Sequence, residues 1–361
     1  MNLSISKVLL FLKMTHIKRR SFLKSTLALS AISVLPNNLS AFRENNSPLN
    51  ESFTALYPTR LTKGDTVVIM GLAGAVRDQK VVVDFKEILE KQGFVVLIGQ
   101  TVYKTFGYLS GTDDERANEF NHFVSDTQVK AIFFIKGGWG CGRVLDKINY
   151  EQLKNNPKII LGFSDLTSLL NAIYHKTGLV TFHGPTGNSS WDSFSLNSFM
   201  DMVSRRGLSL QKPVIRQLQV FSVLRAGKAS GTLIGGNLTV FCSLLGTPYF
   251  PSCSGKILFL EDTHEEPYRI DRMLNSLRLA GVFDQVSGLI FGQFNDCKAE
   301  KPNESFTLEE VVQHQLNEYA FPVIWGAPIG HIKDKWTLPI GVEAHMNTDD
   351  LALKLIRPAV S

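Results

Sequence analysis

Ser164 lies in the stretch IILGFSDLTSLL, residues 159–170, and its surroundings allow two different roles. The residues before it form a short apolar run typical of a buried strand, and the apolar spacing after it is typical of a helix. A serine at such a junction can cap the helix, or it can present a nucleophilic hydroxyl at the end of the strand. The local sequence leaves both interpretations open.

The glycine-rich stretch GGWGCGR, residues 137–143, is the second candidate for chemistry, and it also follows an apolar run. It does not match the GxGxxG pattern of dinucleotide sites, and it lacks the Lys-Ser/Thr pair of a P-loop. Because glycines let backbone amides point into a cleft, the stretch favours an oxyanion hole over a phosphate site. Cys141 is an alternative nucleophile, but no neighbouring feature indicates an activated thiolate.

Strand-like and helix-like segments alternate around these two stretches. Apolar runs predict strands at residues 65–70, 94–98, 129–135 and 159–161, and apolar spacing predicts helices at residues 84–92 and 113–126. This alternation is typical of βαβ units in a doubly wound, mostly parallel sheet. Sites in such folds lie at the carboxyl ends of strands, which is where both Ser164 and the glycine-rich stretch occur.

The second half of the chain has a different character. Residues 188–225 are polar and irregular, and we interpret them as a connection. From residue 226 onward, short β-rich runs alternate with turns and with one helix that begins near Pro267. The sequence therefore predicts an N-terminal α/β domain at residues 61–187 and a β-rich C-terminal α/β domain at residues 226–361.

Residues 1–41 predict an export segment. They contain six basic residues and no acidic residue, and the basic part is followed by an apolar stretch, Ser25–Leu35, that is too short to span a bilayer. The run KRRSFLK within this segment resembles the twin-arginine export motif. Both Met1 and Met14 are compatible with this interpretation as translation starts, and the alternative is a basic tail without a targeting role. Residues 42–60 are expected to form a linker.

The export segment also determines how the charge of the chain is interpreted. Without its six basic residues the formal net charge falls from +5 to −1, so the basic composition does not indicate nucleic-acid binding. We expect an exported, periplasmic protein that keeps no stable membrane anchor, or a cytoplasmic protein if the signal is not used.

The cysteines indicate neither a metal site nor a particular disulfide. Cys141, Cys242, Cys253 and Cys297 form no CxxC pair and show no metal-like spacing with histidine. Export would permit a disulfide, but nothing in the sequence selects a pair. We therefore expect neither a metal nor a cofactor.

Six segments of the chain, taken in order, resemble the LD-carboxypeptidase family, which consists of serine peptidases that trim murein peptides. The segments are GGWGCGRVLDKINY, GFSDLTSLL, TFHGP, GTLIGGNL, LFLEDTHEEPYRIDRML and PIGHIKDKWTLPIG. The resemblance as a whole extends from about Leu61 to Leu355. The resemblance implies that Ser164 is the nucleophile, Glu261 the acid and His331 the base of a catalytic triad.

The resemblance also implies where this triad lies and how it works. Ser164 belongs to the first predicted domain, whereas Glu261 and His331 belong to the second, so the active site would lie between the two domains. Serine needs an adjacent imidazole to take its proton, and a carboxylate fixes the tautomer of that imidazole. By resemblance, the backbone amides of Gly138 and Asp165 would form the oxyanion hole.

Three further residues are candidates for contact with the substrate: Trp139, Gly140 and His183. Trp139 can wall the cleft or pack against its own domain, and His183 can lie in the cleft or support it from behind. Arg143 is expected to hold a helix start or a carboxylate near the glycine-rich stretch rather than to take part in chemistry.

The implied reaction is the release of terminal D-alanine from a murein tetrapeptide, at the L-configured centre of diaminopimelate or lysine. The family commonly forms homodimers, and we expect the same here. A related branch hydrolyses the antibiotic microcin C but carries a different glycine loop, so GGWGCG favours the murein branch. Two alternatives without catalysis are a muropeptide-binding protein and a small-ligand binding protein in which Ser164 only caps a helix.

Overall fold

The computed structural model describes residues 54–210 and 222–361. The predicted export segment and residues 42–53 of the predicted linker lie outside these described residues. The described strands, in chain order, are β1 (Thr66–Met70), β2 (Val95–Ile98), β3 (Val129–Phe134), β4 (Ile159–Gly162), β5 (Thr181–His183), β6 (Ser209–Leu210), β7 (Ser222–Arg225), β8 (Lys228–Asn237), β9 (Ile257–Thr263), β10 (Gly288–Asn295), β11 (Val323–Trp325), β12 (Leu338–Ile340), β13 (Glu343–Asn347) and β14 (Ala352–Leu355). The described α-helices are α1 (Lys80–Lys91), α2 (Asp113–Ser125), α3 (Tyr150–Asn155), α4 (Thr167–Thr177), α5 (Ser193–Val203), α6 (Leu238–Ser243), α7 (Pro267–Leu279) and α8 (Leu308–Leu316).

The first sheet contains six described strands in the order β12-β5-β4-β3-β1-β2. Strands β1 to β5 run parallel, and β12 pairs antiparallel with β5. Parallel strands covered on both faces are continuous apolar runs, and β1, β3 and β4 have this pattern of burial. The predicted doubly wound, mostly parallel sheet is confirmed, and its four predicted strands match to within one residue.

This strand order brings three loops together at one edge of the sheet. The order reverses between β1 and β3, and in such sheets a crevice opens at the carboxyl ends of the strands at the reversal. The loop after β1 meets the loop after β3 there, since the amide of Gly74 donates to the carbonyl of Gly137 at 3.0 Å. Ser164 follows β4, the next strand along, so it lies beside both loops.

The second sheet has the described order β6-β14-β13-β8-β9-β10-β11-β7. Its four central strands, β8 to β11, run parallel and are connected in turn by α6, α7 and α8. The strands on either side of this group pair antiparallel. The predicted β-rich α/β character of the second half is confirmed. Helix α7 begins at Pro267, where a proline costs no hydrogen bond because the first helical amides have no partner within the helix.

The interpretation of residues 188–225 as an irregular connection is wrong in part. The segment contains helix α5 and strands β6 and β7, although residues 211–221 lie outside the described residues. Asp192 caps α5 by accepting from the amides of Phe194 and Ser195. The helix buries Phe199 among its other apolar residues, and its many serines explain why the sequence suggests a polar connection.

The two sheets belong to one compact unit. Because β12 comes late in the chain and pairs with β5, the second half of the chain completes the first sheet. The limits of the two predicted domains stay predictions. Within the ranges that the structure describes, no helix is both long enough and apolar enough to cross a bilayer.

Candidate active site

Ser164 opens a short 3₁₀ turn, Ser164–Leu166, between β4 and α4. Its backbone is left-handed, with φ at 62°, a conformation that costs a residue with a side chain about 1–2 kcal/mol. Strain of this kind often marks functional positions. Helix α4 has no side-chain cap at its start, and the Ser164 hydroxyl is directed to His331 instead. The helix-cap interpretation of Ser164 is therefore wrong.

His331 contacts both of the other predicted triad residues. Its Nε2 lies 3.0 Å from Oγ of Ser164, and its Nδ1 lies 2.8 Å from Oε2 of Glu261. An ionised carboxylate can only accept, so Nδ1 carries the proton and Nε2 presents a lone pair to the serine hydroxyl. This tautomer is the one that a general base acting on Ser164 requires.

Glu261 lies within β9, one of the central strands of the second sheet, and its side chain is fully buried. Burial alone would raise the pKa of this carboxyl, but the charge and the hydrogen bond of His331 outweigh burial and hold the pKa below its ordinary value. The carboxylate therefore stays ionised, which allows it to fix the tautomer of His331 and to stabilise the imidazolium.

Gly330 explains how the loop after β11 can bring His331 so close to Glu261. Its φ is 113°, and a β-carbon at this position would collide with the Glu261 carboxylate. Only glycine combines this backbone conformation with so close an approach. The Gly-His pair of the sequence is thus a geometric requirement of the site.

The glycine-rich loop after β3 lies against the nucleophile. A β-carbon added to Gly137 would lie 2.8 Å from the β-carbon of Ser164, so a larger residue would displace the serine. The amides of Gly138 and Asp165, predicted as the oxyanion hole, donate no hydrogen bond to any residue that the structure describes. Both amides therefore remain available to a ligand, as an oxyanion hole requires.

Two buried side chains hold this loop in place: that of Asp165, for which the sequence indicates only a role of the backbone amide, and that of Arg116, which the sequence does not single out. The Asp165 carboxylate accepts from the amide of Cys141 at 2.8 Å, which ties the glycine-rich loop to the nucleophile turn. Arg116, fully buried in α2, donates to the carbonyl of Gly140 at 2.9 Å and also to the carbonyl of Leu72. These contacts join all three loops at the edge of the first sheet.

Asp113 connects these three loops, through Arg116, to the surface of the protein. It pairs with Arg116 and, through both of its oxygens, with Arg143. The hydrogen bond from Arg143 is the largest of several effects that together lower the pKa of Asp113, although burial acts in the opposite direction. The expectation that Arg143 holds a carboxylate near the loop is confirmed.

The three predicted substrate-contact residues lie in different environments. Trp139 is 65% exposed and packs edge-on against Tyr108, with ring centres 6.0 Å apart. Gly140 supplies the carbonyl that Arg116 binds, a structural role. His183 is 1% exposed and packs beneath the site, edge-on against Phe163 and Phe259, so it supports the cleft from behind.

Burial also determines the charge of His183. It lowers the pKa of this imidazole to about 4, and neither ring nitrogen forms a hydrogen bond within the described part of the chain. His183 is therefore neutral at neutral pH, and it is poorly placed to exchange protons with a substrate. The sequence around His183, TFHGP, does not indicate that this residue is so deeply buried.

Lys335 is a charged residue beside the site that sequence reasoning missed. It is 4% exposed, and its Nζ lies 4.3 Å from the centre of the Phe163 ring. Its backbone amide donates to Oγ of Ser195, which in turn donates to the carbonyl of Lys333, so α5 anchors this loop. Burial lowers the pKa of the ammonium to about 8.

The cysteines do not provide a competing nucleophile. Each of the four is free, and burial raises the pKa of Cys141 well above its ordinary value. A neutral buried thiol is a poor nucleophile, so the alternative role of Cys141 is not supported. In residues 54–210 and 222–361, no group of three or more histidine, cysteine, aspartate or glutamate side chains is placed to hold a metal ion.

Comparison with known proteins relates this geometry to a family. The chain matches the LD-carboxypeptidase N-terminal domain over residues 67–184 and the LD-carboxypeptidase C-terminal domain over residues 230–346. It is 36% identical over 296 residues to a probable murein peptide carboxypeptidase of Bacillus subtilis, which covers 81% of this chain and 91% of that protein.

Two solved structures share the fold over most of their length. A complex of the microcin C7 self-immunity protein MccF with aspartyl sulfamoyl adenosine has a TM-score of 0.78 at 28% identity, covering 85% of this chain and 100% of that one. A muramoyltetrapeptide carboxypeptidase from Oxalobacter formigenes has a TM-score of 0.70 at 29% identity, covering 80% of this chain and 97% of that one.

Proposed function

The chain belongs to the LD-carboxypeptidase family, and we propose that it releases the terminal D-alanine of murein tetrapeptides by acyl transfer through Ser164. As a member of this family it is a serine-type peptidase. The observation that supports the proposed roles is the unbroken chain of hydrogen bonds from Ser164 through His331 to Glu261.

The first step of the reaction forms a tetrahedral intermediate on Ser164. Oγ of Ser164 attacks the carbonyl carbon of the bond to D-alanine while Nε2 of His331 takes the hydroxyl proton. The negative charge that develops on the carbonyl oxygen is received by the amides of Gly138 and Asp165, which are otherwise unoccupied. The imidazolium formed at His331 is stabilised by the buried carboxylate of Glu261.

The intermediate then collapses to an acyl-enzyme, which water hydrolyses. His331 returns its proton to the nitrogen of D-alanine as the carbon–nitrogen bond breaks, and Ser164 keeps the remaining peptide as an ester. Water then enters, loses a proton to His331 and attacks the ester, which frees the shortened peptide and restores the serine hydroxyl. His331 carries every proton in this scheme, including the one that it returns to Oγ of Ser164 in the last step, and the two backbone amides only stabilise the charge on the carbonyl oxygen.

The second candidate function is hydrolysis of a microcin-C-type amide, and the likeness to MccF favours it. The same triad could serve both reactions, because both break an amide at a carbonyl carbon. The murein reaction is preferred because the B. subtilis relative and the O. formigenes structure are named for it, and because the glycine-rich loop reads GGWGCG.

A direct comparison of substrates tests this preference. The purified protein is incubated separately with murein tetrapeptide and with aspartyl sulfamoyl adenosine, and kcat/KM is measured for each. We expect the tetrapeptide to be cleaved with the higher kcat/KM. A higher value for the sulfamoyl adenosine would reverse the assignment, and a folded protein that binds tetrapeptide without cleaving it would favour the binding-protein alternative.

We also propose that the mature protein acts in the periplasm after export through its twin-arginine-like segment. The support is the sequence pattern of residues 18–24. Cell fractionation tests it: replacing Arg19 and Arg20 together by lysine is expected to leave the protein in the cytoplasm, whereas unchanged periplasmic recovery would contradict the proposal.

The proposal that the protein forms a homodimer rests on resemblance to its family. Light scattering on the purified mature chain tests it, with twice the chain mass expected. A mass equal to one chain across the concentrations used in the activity assays would contradict it.

A further inference from the structure

Lys335 is a buried cation for which the triad has no direct use. It is 4% exposed, and none of the ion pairs in the described ranges includes it. Taking an ammonium group out of water costs several kcal/mol unless something compensates. A protein that keeps such a group beside its active site therefore has a use for the charge.

The position of Lys335 relative to the nucleophile is fixed by Phe163, the residue that precedes Ser164. Nζ of Lys335 lies 4.3 Å from the centre of the Phe163 ring, and the His331 ring lies 4.8 Å from the same centre. Lys335 and His331 therefore both lie against the ring of the residue that precedes Ser164, and Lys335 is near enough to Glu261, the partner of His331, to interact with its charge.

The carboxylates near Lys335 are already engaged by other groups. Glu261 and Asp192 both favour the charged form of Lys335. Glu261, however, is hydrogen-bonded to His331, and Asp192 accepts from the amides of Phe194 and Ser195 at the start of α5. His183, a further titratable group near Glu261, is neutral, and the carboxyl of Asp334 is hydrogen-bonded to Asp192. Within the described ranges neither Glu261 nor Asp192 forms a hydrogen bond or an ion pair with the Lys335 ammonium, so this ammonium can still bind an anionic ligand directly.

The chemistry of the leaving group indicates which anion this is. The imidazole that accepted the serine proton must return it to the departing nitrogen, so the terminal residue of the substrate lies on the His331 side. The carboxylate of that residue is joined to the departing nitrogen through a single carbon atom. A carboxypeptidase must also distinguish this free carboxylate from an internal peptide bond.

We infer that Lys335 binds the α-carboxylate of the C-terminal residue and so restricts cleavage to the last peptide bond. This inference rests on the proposed function, because it requires a peptide acid as substrate. An ammonium beside a carboxylate forms a charge-assisted hydrogen bond, whereas an uncharged amide at the same place cannot balance the buried charge.

The test compares two substrates and three proteins. The substrates are murein tetrapeptide with a free C-terminal carboxylate and the same peptide ending in D-alaninamide. The proteins are the wild type, Lys335→Met and Lys136→Met. Methionine matches the length of the lysine stem without its charge, so it fills the space that Lys335 leaves.

Lys136 provides the matched control because its ammonium is directed to a backbone carbonyl of the loop after β1 and not to the Phe163 ring. It precedes the glycine-rich loop, and its Nζ lies 3.4 Å from the carbonyl of Ala75. Any effect of Lys136→Met should act equally on the acid and the amide, since its ammonium is held at the carbonyl of Ala75.

We expect the wild type to prefer the acid over the amide by about 10- to 100-fold in kcat/KM, the range of a charge-assisted hydrogen bond. Lys335→Met should lower kcat/KM for the acid by a similar factor and leave the amide nearly unchanged. Lys136→Met should keep the preference of the wild type. Cleavage of the amide by Lys335→Met also shows that this variant is folded.

The outcomes separate this inference from the proposed function. No cleavage of either peptide by the folded wild type would contradict the proposed function itself. An active wild type together with a Lys335→Met variant that keeps the preference, or that loses acid and amide cleavage equally, would overturn the role of Lys335. If this variant does not fold, the wild type alone decides: equal kcat/KM for acid and amide would overturn the inference.

Discussion

Nε2 of His331 lies 3.0 Å from Oγ of Ser164, although 167 residues separate them in the chain. Ser164 follows a strand of the first sheet, and His331 is held against a strand of the second sheet through Glu261. The candidate active site therefore exists only when the two sheets are packed together, and every prediction below depends on that arrangement.

Ser164→Gly should be more stable than Ser164→Ala. Both variants lose the hydroxyl, but only glycine accepts a φ of 62° without strain. The relief of strain exceeds the entropic cost of glycine, so we expect a difference of about 0.5–1 kcal/mol in the free energy of unfolding. Urea unfolding measures it, and an equal or lower stability of Ser164→Gly would show that the backbone at this position is not strained.

Glu261→Gln should lower kcat by about 10³- to 10⁴-fold with little change in KM, because glutamine can no longer fix the tautomer of His331. The shape of the side chain is almost unchanged, so the variant should fold. Steady-state kinetics with murein tetrapeptide measure the effect. Glu87→Gln, on the exposed face of α1, is the control and should behave like the wild type. A loss of less than 10-fold at Glu261 would contradict its role.

Asp165→Ala should lower kcat by about 100-fold, the effect of misplacing one oxyanion donor. Its carboxylate holds the amide of Cys141 at 2.8 Å and so positions the glycine-rich loop beside Ser164. Asp165→Asn keeps an oxygen that can accept from this amide, and we expect it to stay within about 10-fold of the wild type. Equal losses in both variants would indicate that the charge, rather than the hydrogen bond, matters.

His183 should make the protein sensitive to acid. Its pKa is about 4 in the folded protein, below the ordinary value of 6.5. Between about pH 4 and pH 6.5 this histidine is therefore protonated in the unfolded chain but neutral in the folded protein. Stability is therefore lost as the pH falls from about 6.5 to about 4. Between pH 7 and pH 5 the wild type should lose about 2 kcal/mol more than His183→Leu.

Urea unfolding at the two pH values measures this difference, with His122→Leu, a change at an exposed histidine, as the control. The expected result is a flatter pH dependence for His183→Leu alone. The same loss of stability in His183→Leu and in the wild type would show that protonation of another group causes it.

The sequence predicts four of the six described strands of the first sheet to within one residue. For β1, β3 and β4 the reason is that parallel strands buried on both faces are continuous apolar runs. The sequence predicts α1 from residue 84, whereas the helix begins at Lys80. The first turn is missed because Gln79, at its start, makes no side-chain cap that a sequence pattern could reveal. Helix α5 is missed because its buried face is interrupted by serines.

The residues of the site differ in how far sequence can identify them. Ser164 stands out locally because it lies between a strand and a helix. Glu261 and His331 do not stand out locally, because their roles depend on contacts between residues that are far apart in the chain. His331 lies 70 positions after Glu261 and 167 positions after Ser164, and only the resemblance to a family selects the two residues. The sequence does not reveal Lys335 and Arg116, because lysine and arginine are mostly exposed and their residue type therefore does not indicate that these two are buried.

The most direct test of the central claim is the release of D-alanine from murein tetrapeptide by the purified mature protein and by its Ser164→Ala variant. We expect release by the wild type and a loss of at least about 10⁴-fold in the variant. No release by the folded wild type, or release by Ser164→Ala at the wild-type rate, would contradict this claim.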